Sequence, residues 1–315
     1  MNNSGDMDQR TPRALQKIQE FAAWITKRRA FAQKPTEVFI RKPGRRLLEG
    51  PRPVIEEAIR HREFAWLSVA AYARLPKGFG QATEADDKLK AVGWNAWKDF
   101  PDNKLTKQFK AVHLRVEIWD KKEPPSVAVA FGGTVFDNPL DWRSNLRWLL
   151  RKIPFYEDEY TEIVNVFGPA FVKEFTKRMN GLDGDHLSKA TIYATGHSLG
   201  GGLAQQFAYA LPRDDTVPPV KQVHAFDPSP VTGFFSVKRN VRNRNKIELS
   251  IDHTYERGEI LAILRSITSL LVRPSARNPS IRGVRYNLFF TLNPISGHSI
   301  EQLARRLQYV ADHPG

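Results

Sequence analysis

The chain has no cysteine in its 315 residues, which excludes disulfides, thiolate metal sites and a cysteine nucleophile together. No apolar run approaches the ~18 residues that a membrane-spanning helix needs. The opening residues, Met1 to Asp6, are polar, and no apolar signal-peptide core follows them. The expectation is therefore a chain made in the cytosol, acting there, at a membrane periphery, or outside the cell after export by a route independent of a signal peptide. Acidic charge is also short. Asp plus Glu number 34 against 48 Lys plus Arg, a formal net charge of +14. That balance favours anionic partners. The basic runs, among them Lys238 to Lys246 with no acidic residue, lack interleaved aromatics and carry no recognised nucleic-acid module. An anionic membrane surface is the expected partner, and nucleic acid is not.

What the chain does have is 41% hydrophobic residues, enough for a sizeable core. Residues 1–53 read as a basic extension with one helical stretch, 14–29, packed on or tethered to the rest. Residues 54–315 read as one α/β domain. A helix is expected over 54–75, its buried face built from Ile59, Phe64, Leu67, Ala70 and Ala71. A further helical segment is expected over 86–100. Residues 111–119 alternate as a half-buried strand and 127–131 are continuously apolar, which together suggest an antiparallel edge hairpin. Beyond them helical patterns at 141–152, 157–179, 260–271 and 299–307 alternate with strand patterns at 190–194, 220–226, 247–253 and 284–290. Alternation of this kind predicts a doubly wound, mostly parallel sheet.

Thr191 to Gly201 reads Thr-Ile-Tyr-Ala-Thr-Gly-His-Ser-Leu-Gly-Gly, and the helix-forming stretch from Leu203 to Ala208 follows. Strand, Gly196-x-Ser198-x-Gly200, then helix is the order of a nucleophile elbow, which lifts a serine hydroxyl above a sheet edge. A serine hydroxyl is a poor nucleophile alone; a histidine must take its proton and a carboxylate must orient that histidine. An elbow in a doubly wound sheet with an antiparallel edge hairpin is the α/β-hydrolase arrangement, in which the chain order is serine, acid, histidine. Of the downstream histidines, His224 and His253 fall in or at the end of strands and read as satisfied structural groups. His298, in a loop after the last strand, is the candidate base. His197, beside the serine in sequence, points away from it. The acid is open among Glu259, Asp227, Asp252 and Glu256. Glu259 leads because it follows a strand at the edge where catalytic loops gather, and Asp227 is the main alternative. Oxyanion donors are expected at the N–H of Leu199 and at Thr134, where Phe131-Gly132-Gly133-Thr134 closes an earlier strand.

These segments resemble the class 3 (fungal-type) lipases. Phe131-Gly132-Gly133-Thr134 with Asp141-Trp142-Arg143-Ser144-Asn145-Leu146 is similar to that family's "RGT…DW..NL" block, and Thr191 to Gly201 to its elbow. Ala225 to Gly233 resembles its "TFGSPRVG" segment and Arg257 to Leu261 its acid segment. Gly132 stands where the family has Arg, Glu259 where it has Asp, and Asp227 where it has glycine. The resemblance implies ester hydrolysis on acylglycerols or phospholipids, with no cofactor or metal. Ser198 would be the nucleophile, Glu259 the acid, His298 the base and Thr134 an oxyanion donor.

Residues 135–156 hold a dense apolar set, with Trp142, Leu146, Trp148 and Leu149 as candidate lid groups or as a core helix. The expected activity is cleavage of a lipid carboxylic ester, phospholipid or acylglycerol, through an acyl-enzyme on Ser198. An acyltransferase or thioesterase of the same fold, or a non-catalytic lipid- or partner-binding protein, is the alternative.

Overall fold

Every residue of strand β5, Ser126–Gly132, is buried, as a continuous apolar run requires when both faces of a sheet are covered. Its alternate positions serve different layers. Val127, Val129 and Phe131 join one apolar cluster, while Ala128 and Ala130 join the other. The computed structural model describes residues 37–41, 52–73, 82–133, 161–229, 232–256, 275–288 and 299–313.

Within them a single sheet has the order β2-β1-β9-β8-β7-β6-β5-β4-β3. Strands β6 (Thr191–His197), β7 (Val220–Phe226), β8 (Ser250–Glu256) and β9 (Ser280–Tyr286) run parallel to β5. Strand β4 (Arg115–Lys121) pairs antiparallel with β5, forming the expected hairpin. Both edges are then extended by antiparallel strands. β3 (Trp94–Ala96) lies on β4, and β1 (Glu37–Arg41), followed by β2 (Arg52–Pro53), lies on β9.

Helices cover both faces. α1 (Ile55–Ala73), α2 (Ala82–Ala91) and α7 (Ile300–Asp312) pack into one cluster with Ala128, Ala130, Phe226 and Val284. The small alanines of β5 let α1 approach the sheet closely. α3 (Asn103–Ala111), α4 (Gly168–Met179) and α5 (Leu199–Ala210) sit on the other face, over Phe131, Ile192, Val223 and Ile251, and α6 (Arg239–Asn245) packs against α5. Phe131, Phe167, Phe171 and Phe207 interlock there with ring centroids 5.4–6.1 Å apart, edge-on or tilted as aromatic quadrupoles prefer.

Several expectations shift. The helix expected over 86–100 stops at Ala91. Gly93 takes a φ of +91°, ending the helix in the way glycine permits, and Trp94 turns into the edge strand β3. The strand expected from residue 111 begins at Arg115, because Asp102 caps a helix through 103–111 by accepting the Leu105 N–H. β8 and β9 lie a few residues from their expected starts. The basic stretch Lys238 to Lys246 contains α6, with Lys238 and Lys246 at its two caps. Ile59, expected in the buried face of α1, is 51% exposed. The helical readings at 14–29, 141–152 and 260–271 lie outside the described residues.

Candidate active site

β6 ends at His197 and α5 begins at Leu199, so Ser198 stands alone at the corner. Its backbone has φ 56° and ψ −121°, a region that L-residues with side chains avoid unless the surroundings over-determine it. Here they do. The Ser198 N–H donates to Phe226 O at 2.9 Å, and its carbonyl accepts from Ser229 N at 3.0 Å and Gly201 N at 3.1 Å. The flanking glycines are required by contact. A Cβ on Gly196 would overlap the carbonyl of Gly200, and one on Gly200 would overlap the carbonyl of Phe131. Ser198 itself is partly exposed, whereas every residue of α5 behind it is buried. The N-terminus of that buried helix aims its first N–H groups and its dipole at the corner.

The ends of the neighbouring strands meet at the same edge. His197 pairs with Phe226, Phe226 with Thr254, and Thr254 with Val284. Beyond β5, Gly132 and Gly133 lie against the C-terminal turn of α1 and against Arg115, whose Nη1 donates to Gly133 O at 3.4 Å. Thr134, Glu259, His298 and the lid candidates Trp142, Leu146, Trp148 and Leu149 lie outside the described residues.

The remaining candidates have distinct surroundings. Asp227, at φ 42°, directly follows β7 and is 1% exposed. Its N–H donates to Thr254 O at 2.7 Å, and its Oδ2 is 3.9 Å from His197 Nε2. His253 contacts Gln205 Oε1 of α5 through Nε2 at 3.0 Å. Glu256 is fully buried and accepts the Leu288 N–H at 2.9 Å. Asp252 is gripped by Arg282, whose Nε reaches Oδ1 at 2.9 Å and whose Nη2 reaches Oδ2 at 2.7 Å. Its Oδ2 also takes His61 Nε2 at 3.0 Å. Burial alone would raise the Asp252 pKa; the bonds from His61 and Arg282 outweigh it and hold the carboxyl well below its usual range.

His224 departs from the expectation of a satisfied structural histidine. Neither ring nitrogen has a hydrogen-bond partner among the described residues. Stacking holds the ring instead, 3.8 Å from Phe64 and 13° from parallel. Desolvation, followed by the nearby His61, keeps its pKa well below the ordinary imidazole value. His61, His224 and Asp252 place ligand atoms within 4.8 Å of one another. The carboxylate of that trio is already neutralised by Arg282, which also binds Glu57 at 2.7 Å and 2.9 Å, so a metal ion would have to displace a guanidinium.

Two residues at the centre of these contacts, His61 and Tyr72, carried no motif. Both sit on α1, where sequence alone offers only the apolar period of a helix. Their partners are more than a hundred positions away.

Residues 128–246 match the model of the family described as Lipase (class 3), a family of carboxylic ester hydrolases acting on lipids. No curated protein matches the chain. Among solved structures it is similar to a fungal lipase–inhibitor complex, presented as a model for interfacial activation. Identity there is 14% over 67% of this chain and 76% of that one, with a TM-score of 0.44. It is also similar to the Rhizomucor miehei lipase–propeptide complex, at 13% identity over 64% of this chain and 61% of that one, with a TM-score of 0.37.

Proposed function

We propose that this chain, which matches the class 3 lipase model over residues 128–246, hydrolyses lipid esters through an acyl-enzyme on Ser198. The backbone of Ser198 carries this reading. A strained φ of 56° is kept at a strand-to-helix corner, closed by two glycines that admit no side chain. A serine without a task would relax that strain.

In this reading the Ser198 hydroxyl oxygen attacks the ester carbonyl carbon while His298 takes its proton. The carbonyl oxygen becomes an oxyanion, met by the N–H of Leu199 at the start of α5 and by Thr134. Collapse breaks the bond to the alcohol oxygen, which leaves with the proton from His298. Water then repeats the sequence and releases the acid. Glu259 orients the imidazole. In chain order it follows β8 and His298 follows β9, two strands whose C-terminal ends share the edge of Ser198.

Phospholipid is the preferred substrate over neutral acylglycerol, and an anionic membrane surface the place of action. The net charge of +14 supports this, as does α6, flanked by exposed Lys238 and carrying exposed Arg239 and Arg244. Ser198→Ala is expected to keep the fold and lower turnover of a p-nitrophenyl acyl ester by at least about 10³-fold. A variant as active as the wild type overturns the mechanism. Product analysis on mixed phospholipid and acylglycerol vesicles decides the substrate preference.

A further inference from the structure

Tyr72 lies at the C-terminal end of α1, outside every motif. Its hydroxyl donates to the carbonyl oxygen of His197 at 3.1 Å and lies 3.1 Å from Nδ1 of the same residue. The same oxygen lies against the Gly133 backbone, where a Cβ would overlap it. One phenolic oxygen therefore touches the residue just before the nucleophile and the residue just before the expected oxyanion donor Thr134.

The fit around it is close. A Cβ on Gly133 would overlap the Tyr72 hydroxyl and stand 2.8 Å from His197 O. A Cβ on Gly132 would stand 2.8 Å from Ala71 O. The loop after β5 is thus seated on the last turn of α1 with no room for a side chain. Burial, as the main cause, drives the Tyr72 pKa well above the ordinary phenol value, so the group is a neutral donor and acceptor at any working pH.

We propose that Tyr72 is a positioning residue that ties the oxyanion loop to the nucleophile corner, setting the distance between the Leu199 N–H and the second donor. This rests on the acyl-enzyme reading above. Both donors must meet one oxygen, and each belongs to a different strand end. Hydrogen bonds along the sheet register β5 against β6 only as far as Phe131 and Gly196. Past that pair, the Tyr72 hydroxyl spans the gap, against His197 on one side and the Gly133 backbone on the other. It touches no reacting atom; it acts through Gly133 and His197.

Tyr72→Phe tests the idea by removing one oxygen atom. With the thermal midpoint nearly unchanged, kcat on a p-nitrophenyl ester is expected to fall about tenfold to a hundredfold, as small misplacements of reacting groups produce, while KM stays within about twofold. Labelling of Ser198 by a fluorophosphonate, whose adduct mimics the tetrahedral oxyanion, should slow by a similar factor. An unchanged kcat, or a loss confined to KM, overturns the proposal. Should the Phe variant not fold, Gly133→Ala decides, because its methyl displaces the hydroxyl. The expected result is the same loss in kcat, and wild-type turnover overturns the proposal. If the wild-type protein takes no label at Ser198, the acyl-enzyme reading fails and the proposal falls with it. If the wild type is labelled and Tyr72→Phe is labelled equally fast, the proposal alone falls.

Discussion

The two faces of the sheet are built from neighbouring residues of the same strands, yet they hold together by different physics. On one face Ala194, Val223, Ile251 and Ile281 form a row across β6 to β9, meeting α4, α5 and the interlocked phenylalanines. One residue along, the row is Thr195, His224, Asp252 and Arg282, facing α1. There Ser68 bonds Thr195, His61 bonds Asp252 and Glu57 bonds Arg282, with Tyr286 Oη 2.7 Å from His61 Nδ1, while the His224 ring between them is held by stacking on Phe64. The apolar face backs the helix that supports Ser198. The polar face locks the register of the strands whose ends form the rim of the site. Dispersion and water exclusion hold the first face without direction; the second depends on each partner being present.

The largest effect should come from removing a single partner on the polar face. Asp252→Ala leaves the partly exposed guanidinium of Arg282 with Glu57 alone and the buried His61 without its carboxylate partner, and is expected to destabilise by about 3 kcal/mol. Urea unfolding measures it, and a change below ~1 kcal/mol would mean that the polar row contributes little. Phe207→Leu on the apolar face is expected to cost less, about 1–2 kcal/mol. It should be insensitive to salt, since only packing is lost. A salt-dependent loss there would erase the contrast between the faces.

The smallest effect is one of pH. Buried His224 stays neutral in the fold, its pKa lowered by desolvation and by His61, while the unfolded chain binds a proton below about pH 6.5. The unfolded state then holds more protons, so stability declines as pH falls through that value, by at most about 1.4 kcal/mol per pH unit. Asp252 acts in a lower window. Its depressed folded pKa contributes stability in full above the unfolded value of about 3.9, and that contribution is lost as pH falls further. His224→Phe should flatten the decline between about pH 6.5 and 5 and leave the lower limb in place. Unfolding midpoints across that range check it; an unchanged slope assigns the acid sensitivity to another group.

Much of this was legible beforehand because it is local. The run Val127 to Phe131 could only be a covered strand. Gly196-x-Ser198-x-Gly200 between a strand and a helix could hardly be anything but a corner. Where reading failed, the deciding partner was distant. Trp94 followed a helical pattern until the open edge of β4 took it as β3. Residues 103–111 carry only Leu105 and Phe109 as large apolar groups among charged ones, with Phe109 as the buried anchor of that helix. α6 is basic and exposed, yet Asn245 fastens it by donating to the carbonyls of Tyr209 and Leu211.

From the chain alone follow the alternation of strands and helices, the position of the serine and the glycines that make its corner sterically feasible, because each depends on residues within a few positions of one another. Tertiary structure alone decided that His61 meets Asp252 across 191 residues, that polar side chains from four strands share one row, and that Tyr72 reaches the corner from another helix. Register and helix placement follow from how whole layers pack, and no window of sequence contains the partners whose burial makes those contacts favourable.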